Sequence, residues 1–308
     1  EFLMEILRLQ RNLVLKKLDK KKYAFNLTAK LPFQDYYYSD ESINALDSVV
    51  NSSGNLKLPK KVWKKHSRII KKRWSVENKD LIKSIDKIYN PSFKKLINNC
   101  FAVIKNKRNL KKKKIMGFLD SWVIEMFLPL AKNIKNSKFI IIIRDPRASM
   151  ASNLNVWNKR NIPNSMSFLK CWRKMIALTI YYKTLKIFKN RLYVLTHEDL
   201  IKNPKKVCKG LCKFLNVKFE SEMLNTRNYI NYSTGKIWKG NSTFEKKAFG
   251  FSKKRTNRWK KNLSYGQIKA AEFIAHHEMK LLNYKFYKSD NFSKLKDGLA
   301  FLMGNDNQ

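Results

Sequence analysis

Acidic residues are scarce in this sequence. It holds 23 aspartates and glutamates against 66 lysines and arginines in 308 residues, a formal net charge of +43. That imbalance points to an acidic partner, to an anionic ligand, or to a lysine-heavy drift in composition. Basic runs such as Lys20–Lys22 and Lys111–Lys114 interrupt apolar segments throughout instead of forming one tail, so drift and general attraction for polyanions both stay open. Cysteine is also sparse. Cys100, Cys171, Cys208 and Cys212 make no CxxC pair and have no histidine at metal-ligand spacing, so no metal site is expected and a reducing compartment is the simpler inference. No apolar run approaches the roughly 18–20 residues that span a bilayer. The N-terminus also lacks the basic, apolar, small-residue order of a signal peptide. The expectation is a cytoplasmic protein without a membrane span. Glycine numbers nine, the first at Gly54, and none sits in a phosphate-cradling loop, which counts against a nucleoside-phosphate kinase with a Walker loop.

What is present is enough to fold. Hydrophobic residues make up 44% and aromatics 13%, which excludes a disordered chain and allows a sizeable core. Residues 1 to about 17 carry Phe2, Ile6, Leu9 and Leu13 along one helical face. Residues 20–60 are irregular, with aromatics at Phe33 and Tyr36–Tyr38 and a turn-rich Asn51–Asn55. Two helices are expected between Val62 and Lys107, another over 122–134, and a long one from about Met166 to Phe188. "RLYVLTHEDL", Arg191–Leu200, reads as a buried strand with a polar end, and "NPKKVCKGLCKFLNV" as a helix with Asn203 as cap and Pro204 first. The last helix opens on the capping box Ser264-x-x-Gln267 and ends near Asn283. No repeat and no linker is evident, so the reading is one α/β domain with long inserted loops.

The stretch "KFIIIIRDPRASMASN", Lys138–Asn153, is where chemistry first shows. Ile140–Ile143 is a continuous β-branched run, suited to a short strand of a parallel sheet covered on both faces. Asp145 then caps a helix with Pro146 in its first turn and Ala148, Met150, Ala151 and Leu154 carrying it on. In open α/β sheets ligands bind where strand ends meet helix starts. Arg144 stands at that point, and with the helix-terminal amides it makes an anion site for a phosphate or sulfate. The plainer alternative is that Arg144 bridges Asp145 or caps a helix.

Four stretches together resemble a sulfotransferase that uses 3′-phosphoadenosine 5′-phosphosulfate. "FIIIIRDPRASMAS" is similar to the family's 3′-phosphate motif, a strand followed by Arg-Asp-Pro-Arg and a serine eight residues after the first arginine. "YVLTHEDLIKNP" resembles the strand ending in Tyr-Glu-Asp-Leu beside the adenine, with His197 in the tyrosine's place. "FLNV", Phe214–Val217, closes the next helix as the family's Phe-Leu-Gly does. "GNSTF…GFSKKRTNRWKKNLS", Gly240–Ser264, resembles the segment that folds over the nucleotide. The ordered match runs over about residues 112–285.

The resemblance implies a P-loop-NTPase-like parallel sheet flanked by helices, with the nucleotide as co-substrate and no metal. Arg144 and Ser152 would bind the 3′-phosphate. Lys253, Lys254 and Arg255 would close over it, or form a solvated basic run. His197 would stack on adenine, or be a satisfied strand-end histidine. Arg258-Trp259 would anchor the covering loop, with the Trp259 ring in the core.

The family's 5′-phosphosulfate loop, a strand followed by Pro-Arg-Ser-Gly-Thr-Thr or a close relative, has no counterpart here. Phe2–Asn12 resembles the helix that follows that loop, so an N-terminally incomplete sequence lacking its first strand is expected. "MGFLDSW", Met116–Trp122, resembles a segment near the family's site with Leu119 where a lysine is common. Asp120 is the candidate general base, or else the N-cap of the helix behind it. His66 is an outside candidate for the base, and His276 and His277 fall on a late helix. The expected activity is sulfuryl transfer to a hydroxyl or amine of a small-molecule, carbohydrate or protein acceptor. The alternative is a basic polyanion- or nucleic-acid-binding protein without catalysis, although no nucleic-acid motif is present.

Overall fold

A computed structural model describes residue 9 and residues 57–74, 82–107, 115–117, 119, 124, 127–160, 165–229, 237–240 and 242–287. The chain falls into two compact units, one of Glu1–Ala24, Asp40–Ser137 and Ile230–Lys236, the other of Phe25–Ser39, Lys138–Tyr229 and Ile237–Gln308. The expected N-terminal helix lies outside the described residues apart from Leu9, which is helical and buried. Phe33, Tyr36–Tyr38, Asp120 and the runs at Lys20–Lys22 and Lys111–Lys114 also lie outside them.

In the first unit, helix α1 is Lys60–Trp74, α2 is Phe93–Lys107 and α3 is Phe127–Asn133. A 3-10 turn at Ile85–Ile88 precedes α2. Trp63 and Ile70 of α1 and Leu96, Ile97 and Cys100 of α2 are buried, at spacings of three, four and seven that keep each set on one helix face. The exposed face of α1 carries Lys60, Lys61, Lys64, Lys65, Arg68 and Lys72. Burial pushes the Cys100 thiol up to about 12, so it stays a neutral core residue.

The second unit is built on two parallel strands, β1 (Phe139–Ile143) and β2 (Leu192–Thr196), paired Phe139 to Leu192 through Ile143 to Thr196. Parallel neighbours need a long crossover. Here it is α4 (Pro146–Arg160) and α5 (Ser165–Thr184), which pack on each other. Phe139, Ile141 and Ile143 are buried, whereas Ile140 and Ile142 are 37% and 47% exposed. The expectation of a strand covered on both faces is therefore corrected. An unbroken apolar run has no period, so it cannot tell one covered face from two.

Helix α6 (His197–Lys202) starts directly at the end of β2, and α7 is Pro204–Leu215. Asn203 stands at the start of α7, but its side chain makes no capping bond. Asn216 ends that helix in the left-handed region at φ 57°. Farther on come two short helices, α8 (Lys253–Thr256) and α9 (Trp259–Asn262). The last helical stretch among the described residues is α10 (Tyr265–Ile274) and α11 (His276–Leu281). The capping box forms: Ser264 Oγ accepts from Gln267 N at 3.2 Å and Gln267 Oε1 from Ser264 N at 2.9 Å. The single helix expected here is broken at Ala275 before ending at Asn283, φ 57°. The core joins Ala148, Met150, Ala151 and Leu154 of α4 to Leu169, Trp259, Leu263, Ile268, Ala271 and Ile274. Helix α4 and the C-terminal segment thus share one hydrophobic core.

Candidate active site

Because β1 and β2 are parallel and paired through Ile143 and Thr196, the next residue on each strand leaves the sheet beside the other. Those residues are Arg144 and His197. Helix α4 begins two residues after Arg144, with Asp145 as its cap: Asp145 Oδ1 accepts from Arg147 N at 2.8 Å. Trp172 Nε1 donates to the Arg144 carbonyl at 2.9 Å and fixes the turn from the α5 side.

The two arginines of "RDPR" have different surroundings. Arg147 is 3% exposed; its Nε and Nη2 donate to the two oxygens of Asp145 at 3.0 and 2.6 Å, and its Nη1 donates to Glu272 at 2.5 Å. The guanidinium also lies 4.2 Å from the centre of the Trp259 ring. The structural role open to Arg144 in the sequence, bridging Asp145, belongs to Arg147. Arg144 is left with a buried Nε that has no hydrogen-bond partner among the described residues. Burial lowers its pKa, opposed by the charges of Glu198 and Asp145 and reinforced by Arg258. A guanidinium is charged at any physiological pH, and a buried unmade hydrogen bond costs about 1–3 kcal/mol. Among the described residues the site is therefore short of an acceptor.

His197 repeats the pattern. Its Nδ1 is buried without a hydrogen-bond partner among the described residues. Burial, and then the Arg144 charge, push its pKa down to about 4, so the ring is neutral at physiological pH. Glu198, the next residue, accepts from Asp145 N at 3.1 Å through Oε1 and from the Tyr284 hydroxyl at 3.0 Å through Oε2. Burial raises its carboxyl above the ordinary value, and the two donors oppose that rise. The Tyr284 hydroxyl is raised mainly by burial, with the Glu198 charge adding to it.

The Gly240–Ser264 segment reaches the same elements. Ser152 Oγ on α4 lies 3.0 Å from Thr243 Oγ1, and Asn155 Nδ2 donates to the Thr243 carbonyl. Helix α8 packs on α6, and α9 packs on α4. Lys253 and Lys254 are exposed on α8. Arg255 is committed to its own loop: it pairs with Glu245 at 2.8 Å and donates to the carbonyls of Phe249 and Gly250. The cation of this segment whose charge reaches Arg144 is Arg258, itself paired with Glu245 and stacked on Phe244.

The sulfotransferase domain model matches residues 3–283. The chain belongs to the sulfotransferase family. It is a transferase, and its general reaction is sulfuryl transfer. The match includes every site residue from Arg144 to Arg258 and runs through both units. This sulfotransferase is also similar to the solved sulfotransferase domain from the curacin biosynthetic pathway, at 17% identity over 72% of this chain and 79% of that one, with a TM-score of 0.48. No curated protein matches it.

Of the sequence candidates, Arg144 and His197 are thus brought together, Ser152 is tied to Thr243, and Lys253, Lys254 and Arg255 sit on α8. Asp120 lies outside the described residues. His66 is half-buried on α1, and His276 and His277 are exposed on α11. Among the described residues no group of histidine, cysteine and carboxylate side chains is placed to hold a metal, and no helix is long and apolar enough to cross a membrane. Sequence reasoning missed Glu198, Thr243 and Tyr284. Glu198 was visible only as part of "THED", where a helix-start carboxylate reads as a dipole partner. Its contact with Tyr284 spans 86 residues and leaves no local pattern.

Proposed function

We propose that this sulfotransferase takes its sulfuryl group from 3′-phosphoadenosine 5′-phosphosulfate and passes it to a hydroxyl or amine of a small-molecule, carbohydrate or protein acceptor. The observation that carries the donor assignment is the buried, unpartnered Nε of Arg144 at the shared end of β1 and β2. A 3′-phosphate is what separates this donor from ATP, and a guanidinium fork recognises it in two hydrogen bonds. Ser152 adds a hydroxyl by turning from Thr243 to the phosphate. Lys253 and Lys254 supply covering charge, and Arg255 holds the loop that carries them. His197, neutral and with a free nitrogen, faces the adenine. In this reading β1 and β2 belong to a larger P-loop-NTPase-like parallel sheet, and residues 1–308 belong to a single sulfotransferase-like domain acting in the cytoplasm.

The reaction resembles phosphoryl transfer, in which charge spreads over equatorial oxygens and catalysis rests on positioning and positive charge. No metal is required by this scheme. Asp120 is the proposed acceptor of the hydroxyl proton; Asp120→Asn is expected to lower kcat by roughly 10²–10⁴-fold with donor affinity kept. The family match does not favour a polyanion-binding protein without catalysis.

Calorimetry tests the donor. Adenosine 3′,5′-bisphosphate should bind far more tightly than 5′-AMP, and Arg144→Ala should weaken the bisphosphate by about 2–4 kcal/mol while barely changing 5′-AMP. Equal affinities for the two nucleotides would remove the assignment.

A further inference from the structure

The carboxylate nearest in kind to a natural partner for Arg144 makes no hydrogen bond to it. Glu198 feels the Arg144 charge, yet one of its oxygens is held by Asp145 N and the other by the Tyr284 hydroxyl. Those two contacts join three parts of the second unit: the β1–α4 turn, the start of α6, and the chain just after α11. The carboxylate thus sits within reach of the Arg144 charge without saturating it. We propose that Glu198 is a positioning residue for the anion site, tying the β1–α4 turn to Tyr284 and taking up one proton from solvent when a phosphate binds at Arg144.

This rests on the reading that Arg144 holds the 3′-phosphate. The physical reason is competition. A phosphate placed on Arg144 brings two negative charges close to a half-buried carboxylate, and like charges that share one cation raise each other's affinity for a proton, the carboxylate's included. The geometry says where the proton goes. Asp145 N can only donate, so Oε1 must remain an acceptor. Tyr284 Oη can donate or accept, so an O–H bond formed at Oε2 turns that hydrogen bond round with no heavy atom moving. The site therefore keeps both contacts in either protonation state. The carboxyl is already raised by burial, which brings its titration nearer neutrality before any ligand arrives. The described charged and titratable groups of this cluster are Arg144 and Asp145 from the β1–α4 turn, His197 and Asp199 on the helix of Glu198, and Arg258 and Tyr284 from the C-terminal segment. His197 stays neutral down to about pH 4 and does not supply the proton signal above that.

The experiment is calorimetry of adenosine 3′,5′-bisphosphate binding to the full chain between pH 5.5 and 8, in two buffers of different ionisation enthalpy. The free ligand's phosphates titrate in this range identically in every assay, so the readout is the difference in uptake from wild type. Glu198→Gln keeps an acceptor for Asp145 N. It should abolish the extra proton uptake, so that the ratio of wild-type to variant affinity rises as pH falls, by at most about tenfold per pH unit for one proton. Tyr284→Phe removes a donor to the charged carboxylate and should move the uptake window to higher pH while preserving its size. This second variant carries the test should Glu198→Gln fold poorly. Unchanged proton uptake in Glu198→Gln, or an unmoved uptake window in Tyr284→Phe, overturns the proposal. Arg144→Ala in the same assay separates the two ideas: if it leaves bisphosphate affinity unchanged, the site reading fails; if it weakens binding while Glu198→Gln leaves uptake intact, only the role of Glu198 fails.

Discussion

Removing the Arg147 side chain would leave Asp145 and Glu272 buried without the cation between them. Breaking a buried ion network from one side costs about 3–5 kcal/mol, so Arg147→Leu should unfold at much lower urea concentration, with loss of nucleotide binding only as a consequence. Arg144→Ala should behave in the opposite way. Its Nε already lacks a partner, so stability should change by no more than about 1 kcal/mol, while the rise in Tm on adding the bisphosphate disappears. Two arginines three residues apart thus separate by assay. His197 adds a pH dependence. Its folded pKa, about 4, lies below the ordinary value of 6.5, so between those limits the unfolded chain binds more protons. Stability from this residue is full above pH 6.5 and declines as pH falls towards 4. Glu198, raised, gives a slope of opposite sign above its ordinary value, so the clean measurement is the difference between wild type and His197→Gln in urea unfolding at pH 7 and pH 5. The variant should lose less stability than wild type over that interval.

Helix α10 owes its sharp start to the Ser264–Gln267 box, and Ser264→Ala should cost about 1 kcal/mol without touching the anion site. Gly240 is different in kind. Its φ is 87°, and a Cβ there would stand 2.3 Å from the Ala248 carbonyl oxygen. Gly240→Ala must therefore displace the loop that presents Thr243 to Ser152, and donor KM should rise more than kcat falls. These elements also show which parts of the molecule the sequence could reveal. The β1–α4 turn and the α10 cap were legible because their signals lie within four residues: a β-branched run, Asp-Pro, a serine and glutamine three apart. The open face of Ile140 and Ile142 was not, since hydrophobicity without a period carries no direction. The choice between Arg144 and Arg147 was also hidden. It depends on Glu272 and Trp259, more than a hundred residues away, and on which guanidinium the core encloses. Cys208 and Cys212 were readable as a helical pair, and the structure buries Cys212 more deeply.

At the scale of the whole molecule, a net charge of +43 attracts any anion, and that attraction must be separated from recognition. The Debye length is about 10 Å at 0.1 M salt, so the long-range field collapses as salt rises, while contacts at half-buried Arg144 are screened much less. Self-repulsion is screened as well, and Tm should rise between about 0.02 and 0.2 M sodium chloride. Over the same range, binding to duplex DNA should fall along a steep log–log line set by the number of phosphates neutralised. The discriminating pair is adenosine 3′,5′-bisphosphate against its 2′,5′ isomer. The two carry the same charge, so the surrounding field cannot tell them apart; only a guanidinium fixed at the end of β1 can. Both affinities should weaken with salt, but their ratio, in favour of the 3′ isomer, should hold within about threefold, the residue of screening on a contact this short. A ratio near one at every salt concentration would mean that the lysine-rich surface, and not a positioned Arg144, is what holds the nucleotide.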